Sequence, residues 1–240
     1  MKSLFHACLI VMAAASAVVP AHAGDAIHYI GFNEFVADRA ADSGRVFDDY
    51  IHQLRPIMSR YGMTVDAYDV LHGGTAQLAA DVVTFGSAPD EESFQAFFAD
   101  PEFQEIFPML VGALGGHQVI FTADAFALTG REPGHTLLSL HWVEGDASEG
   151  VARLQALNHR ISPVFDRYGV QQIAHAAGVM SSRGLAAEVA ATTPPQLLEL
   201  WSIGNAHAFL DDPLVQASNR EAEILVSRKE SFWLRLRDIR

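Results

Sequence analysis

The chain repeats itself, and that repeat limits what it can fold into. Pro56-Ile57-Met58-Ser59-Arg60-Tyr61-Gly62 aligns with Pro163-Val164-Phe165-Asp166-Arg167-Tyr168-Gly169, an offset of 107 residues. The same offset pairs His28 with His135, Phe35 with Trp142 and His52 with His159. Further along, Ala96-Phe97-Phe98-Ala99-Asp100-Pro101 aligns with Ala208-Phe209-Leu210-Asp211-Asp212-Pro213 at an offset of 112. The drift implies an insertion before Leu197 and a smaller deletion near Gly204. Two matched blocks in the same order point to one supersecondary unit used twice.

Each copy has the same grammar. His28 to Val36 and His135 to Val143 are apolar, aromatic-rich runs that predict strands. A helix follows, with a buried stripe of Phe47, Tyr50, Leu54, Ile57 and Tyr61, matched by Leu154, Leu157, Ile161, Val164 and Tyr168. Pro56 and Pro163 fall inside these helices and should kink them, and Gly62 and Gly169 should stop them. Second strands are predicted at Val65 to Leu71 and Gln172 to Ala177, and third strands at Val82 to Gly86 and Leu198 to Ile203. Ser87-Ala88-Pro89-Asp90 reads as a capping box opening a second helix with an apolar face of Phe94, Phe97 and Phe98. Val119 to Thr122 and Ser231 to Leu234 close the units. Gly112 to Gly116 reads as a loop, and Ser181 to Gln196 as an enlarged hairpin loop unique to the second copy.

A βαββαβ unit builds an antiparallel sheet with helices on one face. Its other apolar face needs a cover, which the second copy supplies. The expected fold is therefore α+β, with two βαββαβ ferredoxin-like repeats facing each other about a pseudo-two-fold axis around an interior cavity. The expected organisation is a signal peptide over 1–23, a first repeat over 24–128, a linker over 129–134 and a second repeat over 135–240.

This strand–helix order, with an aromatic-rich second helix ending in Asp-Pro, resembles the dimeric α/β-barrel superfamily in tandem, fused form. It is similar also to small uncharacterised barrel proteins and NIPSNAP-like proteins. The resemblance covers nearly all of residues 27 to 238. It implies architecture only, because the superfamily includes cofactor-free monooxygenases, lactone isomerases, haem-dependent enzymes and proteins with no known activity.

Composition narrows the function classes. Lys2, the apolar run Ala7 to Val19 and the small-x-small site Ala21-His22-Ala23 form a signal-peptide pattern, so a periplasmic or secreted protein is expected. The run ends at Pro20, too short to span a bilayer, and no other segment is long enough. Cleavage removes the single cysteine, Cys8, and with it disulfides, thiolate metal sites and a cysteine nucleophile. Beyond residue 23 the net charge is −14, with 17 acids and 5 bases up to Pro133 and 12 acids and 10 bases after it. Such a surface repels phosphate backbones, so nucleic acid is not an expected partner.

Standard catalytic signatures are missing: no Gly-x-Ser-x-Gly elbow, no phosphate-binding glycine loop with a lysine, no His-Glu-x-x-His helix. The candidate site comes instead from strand alternation. His28, Ile30, Phe32 and Glu34 share one face, and His135, Leu137, Ser139 and His141 share the matching face of the second copy. The more apolar set Thr136, Leu138, Leu140 and Trp142 is expected to meet the helices, which turns Ser139 and His141 toward the barrel cavity. Glu34 and His141 then become equivalent positions, a carboxylate and an imidazole able to share a proton. They are the candidate catalytic residues. His28, Phe32, His135, Leu137 and Ser139 are candidate ligand contacts, and Tyr68 and His175, aligned on the second strands, add polar groups to the same space. The plain alternative is that the strand-end histidines cap the sheet and that Glu34 and His141 form a structural pair. His52 lies about 140° round the helix from Phe47, so His52 and His159 should be solvated, and Tyr61 and Tyr168 should be core.

Three readings stay open. In the first, the barrel binds a small apolar or aromatic molecule and acts as a cofactor-free monooxygenase or isomerase. The second is a non-catalytic module binding a ligand, haem or metal, and the third a structural or interaction protein. No resident cofactor is expected, with haem and metal left open, and either a monomer or a homo-oligomer suits a fused pair.

Overall fold

A computed structural model describes residues 26–122, 135–177, 179–184 and 193–239. The expected leader over 1–23, the expected linker over 129–134 and much of the enlarged segment lie outside the described residues, and for His135 and Val179–Gly184 only the backbone is described. In chain order the elements are β1 (Ile27–Phe35), α1 (Ala40–Arg60), β2 (Thr64–Gly73), β3 (Val82–Ala88), α2 (Glu91–Phe98), α3 (Pro101–Ala113) and β4 (Leu114–Thr122), then β5 (His135–Val143), α4 (Ala147–Tyr168), β6 (Val170–Ala176), β7 (Val179–Gly184), β8 (Leu197–Ile203), α5 (Ala206–Leu210), α6 (Pro213–Leu225) and β9 (Val226–Leu236). Among these helices none is long and apolar enough to cross a membrane.

The local chemistry explains the breaks. In α1 the buried residues Phe47, Tyr50, Ile51, Leu54, Ile57 and Met58 recur at helical spacing, and Pro56 lies within the helix as Pro163 does in α4. Gly62 (φ 66°) and Gly169 (φ 62°) take left-handed conformations where these helices stop. The second helix of each half is split by its Asp-Pro pair. Asp100 accepts from the Glu102 and Phe103 N–H groups at the start of α3, and Asp212 from Leu214 N–H at the start of α6. The same carboxylates accept from the Tyr61 hydroxyl (2.7 Å) and the Tyr168 hydroxyl (3.1 Å). The tyrosine rings do pack on phenylalanines, but their hydroxyls tie the first helix of each half to the last. The Tyr61 hydroxyl, against the cost of burial and with help from Arg60, holds the Asp100 carboxyl down at about 2.

Two local expectations are corrected. Ser87 is a strand residue whose hydroxyl meets Thr64, and the cap of α2 is Asp90, which accepts from Ser93 N–H at 2.7 Å. Gly115 and Gly116 belong to β4 rather than a loop: β1 bulges beside them between Glu34 and Phe35, and a Cβ at Gly116 would stand 2.8 Å from the Glu34 carboxylate.

The strands form one antiparallel sheet in the order β6-β8-β5-β9-β2-β3-β1-β4-β7. The halves are joined through β2 and β9, from Tyr68↔Leu236 to Gly73↔Phe232. At the ends of the order stand β6 and β7, consecutive in the chain: β6 pairs with β8, and β7 pairs with β4. The segment Ser181 to Gln196, expected to be wholly loop, thus begins as strand and extends the sheet.

One face of the sheet carries the helices. Under α1–α3 lies a cluster rich in phenylalanine, and under α4–α6 lie two smaller clusters around Val164 with Trp201 and Leu154 with Leu197. The other face turns inward, where Ile30, Phe32, Tyr68 and Phe85 of the first half meet Leu138, Leu140, Trp142 and Phe232 of the second. Phe32 and Phe232 pack ring to ring at 5.2 Å. Phe232 is fully buried at this junction. Phe232→Ala is expected to cost about 3–5 kcal/mol, measured by urea unfolding of the whole chain. A loss near zero would show that the inward faces do not hold the halves together.

Candidate functional site

The bulges reset the register between the two halves. β1 is irregular between Glu34 and Phe35, and β5 between Trp142 and Val143. Matching the bulges sets the first strands 108 residues apart (142 − 34), one more than the offset of the helices. A slip of one residue flips every side chain in a strand. Leu138, Leu140 and Trp142 therefore face the barrel interior, while Leu137, Ser139 and His141 lie under α4 and α6. The expected equivalence of Glu34 and His141 is corrected accordingly. Glu34 is exposed and shares the parity of Phe32, on the opposite side of the sheet from His141; the residue across the bulge match from His141 is Asn33.

The structure brings Leu137, Ser139 and His141 to the wall of one cavity of about 180 Å³ between the sheet and the helices of the second half. The other candidates do not join them. Phe32 and Tyr68 are interior core, with Tyr68 edge-on to Phe85 and its hydroxyl pushed up to about 12 by burial. His28 is half-buried where β1 pairs with Ser87 and Thr122, and His175 is exposed on β6. The side chain of His135 is not among those described. His52 and His159 are exposed, as expected from the helical stripe.

The cavity floor can be read from the strand registers. One row is Trp201, Leu137 and Trp233, the next Glu199, Ser139 and Ser231, and the last Leu197, His141 and Lys229. The ceiling is Leu157, Ile161 and Phe165 of α4, with Phe209 of α5 and Val215 and Ala222 of α6. One end is thus aromatic and the other polar.

The polar end is built around a buried carboxylate. Glu199 is 4% exposed, and its Oε2 lies 3.0 Å from His141 Nε2. Its Oε1 accepts from the Asn158 and Gln172 side-chain amides, the latter at 3.2 Å. With amide donors on Oε1, Oε2 is the oxygen left to meet the imidazole. A carboxylate that orients an imidazole in this way is the arrangement a general base uses. His141 Nδ1 is buried and finds no hydrogen-bond partner among the described residues. Lys229 stands at the mouth, where desolvation lowers its pKa and Glu199 and Glu223 act in the opposite sense.

The first half closes the same region. There the helix-side floor holds Asn33, Thr84 and His117, with His117 Nδ1 2.8 Å from Asn33 Oδ1. Tyr29 lies across Gly86, where a Cβ would stand 2.0 Å from the ring, and packs against Phe94 and Phe121. Burial pushes the His117 imidazole down to about 4.

Sequence reasoning missed Glu199, Lys229, Asn158, Gln172, Ser231, Trp201 and Trp233 as a site. The signal was present in Leu197-Leu198-Glu199-Leu200-Trp201, where a single carboxylate interrupts an apolar strand and so must be buried with partners.

Comparison with solved structures places this architecture. A mutant chlorite dismutase from Candidatus Nitrospira defluvii superposes with a TM-score of 0.55 at 10% identity, covering 91% of this chain and 93% of that one. An anthrone oxidase-like protein gives 0.51 at 13% identity over 91% and 94%. The chain has the fold of the dimeric α/β-barrel proteins. No family model matches the chain, and no curated protein is similar to it in sequence.

Haem-binding chlorite dismutases share the fold, so the fold gives no ground for the expected lack of a resident cofactor. The cavity in this chain does not fit a haem. At about 180 Å³ it is below the roughly 300–1,000 Å³ of sites for drug-sized ligands, and His141 Nε2 is already engaged by Glu199. Among the described residues no group of three or more His, Cys, Asp or Glu could hold a metal ion.

A pH prediction follows from His117. Its folded pKa lies below the unfolded value of about 6.5, so the unfolded chain binds the extra proton first, and stability falls as pH drops from about 6.5 toward 4. Chemical unfolding across this window is expected to show the decline in the wild type and a shallower one in His117→Gln. Equal slopes would remove His117 as its cause.

Proposed function

We propose that the second half of this chain binds a small, mainly apolar molecule of single-ring size in the cavity between α4, α6 and the sheet. The observation that carries the reading is the construction of that cavity: an aromatic floor and an apolar ceiling around a few polar groups, as ligand sites are built. Its volume suits the size class, since an apolar cavity of roughly 150 Å³ takes up benzene. In this reading His141, held by Glu199, is the group that would take a proton from the bound molecule, replacing the Glu34–His141 pairing expected from alternation.

Two broader features belong to the same proposal. The halves are one βαββαβ unit used twice about a pseudo-two-fold axis. This is supported by the repeated bulge in β1 and β5 and by the repeated tyrosine–aspartate link. The leader pattern of residues 1–23 supports a periplasmic or secreted setting for the ligand.

Thermal unfolding of the whole chain with a panel of single-ring compounds tests the binding reading. A ligand present at about 100 times its Kd adds about 2.7 kcal/mol, and the effect should vanish in Ala222→Phe, which places a ring in the cavity. A panel that stabilises neither protein, or both equally, rejects this cavity as the site.

A further inference from the structure

The cavity's polar groups say what kind of molecule it takes. The one carboxylate facing it, Glu199, is saturated by His141, Asn158 and Gln172. The neighbouring donors are not engaged. Ser139 is 4% exposed and lines the cavity, and its hydroxyl makes no hydrogen bond among the described residues. Ser231, directly opposite on β9, lines the cavity, and its hydroxyl likewise makes none. Lys229, next along β9 on the same face, has no ion pair or hydrogen bond among the described residues. Two hydroxyls and an ammonium therefore run along one edge of the floor, beside a row of Trp201, Leu137 and Trp233. Alternate residues on a strand stand roughly 7 Å apart, so the serine row lies about the length of a ring and its substituent from the aromatic row, and Lys229 one row further on, toward the cavity mouth.

We propose that the ligand is a small aromatic carboxylate. Its ring lies over Trp201, Leu137 and Trp233, and its oxygens face Ser139, Ser231 and Lys229. A hydroxyl without a partner can donate to a ligand oxygen. A lysine can only donate, and an ionised acceptor makes that bond stronger than a neutral one does. A cationic ligand would instead need a free carboxylate, and Glu199 is already engaged by His141, Asn158 and Gln172. The inference rests on the binding reading above and deepens it.

Benzoate and toluene serve as probes of equal ring size, titrated against the whole chain by calorimetry or NMR. Benzoate is expected to bind about tenfold or more tighter than toluene. Lys229→Met should narrow that ratio to near one, and Lys229→Arg should restore part of it. Unfolding curves of both variants check that they fold. Toluene binding as tightly as benzoate, or a ratio unchanged in Lys229→Met, overturns the carboxylate assignment and leaves the cavity as the site. Failure of both probes to bind overturns the binding reading with it.

Discussion

The structure depends on the inward face of its sheet being covered by the other half of the chain. Ile30, Phe32 and Phe85 cannot stay wet, and Leu138, Leu140 and Phe232 meet them across the β2–β9 pairing. Hydrogen bonds at that seam set the register, but the driving force is the removal of apolar surface from water. Because the interior is shared, neither half has a complete core of its own. The helix-side clusters, by contrast, belong to one half each. That separation lets one half fill the space under its helices while the other keeps it open.

The difference between the two halves that bears on the cavity is chemical. On the first side the floor is small and neutral, with Asn33, Thr84 and His117 bonded to one another, and rings from Tyr29, Phe94 and Phe121 take up the room. On the second side the bulge match puts His141 at the place of Asn33, next to a buried glutamate. A buried carboxylate must keep its partners, so Asn158 ties α4, and Gln172 ties β6, to Glu199 on β8.

Much of the fold was legible in the sequence. The stripe from Phe47 to Ile57, the left-handed glycines at 62 and 169 and the Asp-Pro pairs each encode a local decision that the structure keeps. The site was not legible, and the reason is physical. Strands covered on both faces lose the alternation that tells inside from outside. In β5 Leu137 and Leu138 are adjacent and each finds an apolar neighbourhood, one beneath the helices and one inside the barrel. Nothing in that stretch reports which is which, and the one-residue change in spacing between strand and helix went unread. Glu199 carried a readable signal, a charge in an apolar strand, but its partners come from elements far apart in sequence.

The two seams that join the halves are made differently. β2 is a single strand that pairs with β3 along its first part and with β9 along its second. Opposite it the same task is divided between β6, which pairs with β8, and β7, which pairs with β4. A continuous strand couples its two neighbours, so they resist separation together, whereas a divided one lets each part yield by itself. Amide protons of β4 and β7 should accordingly exchange before those of β2 and β9, and the molecule would begin to open along that side, away from the cavity.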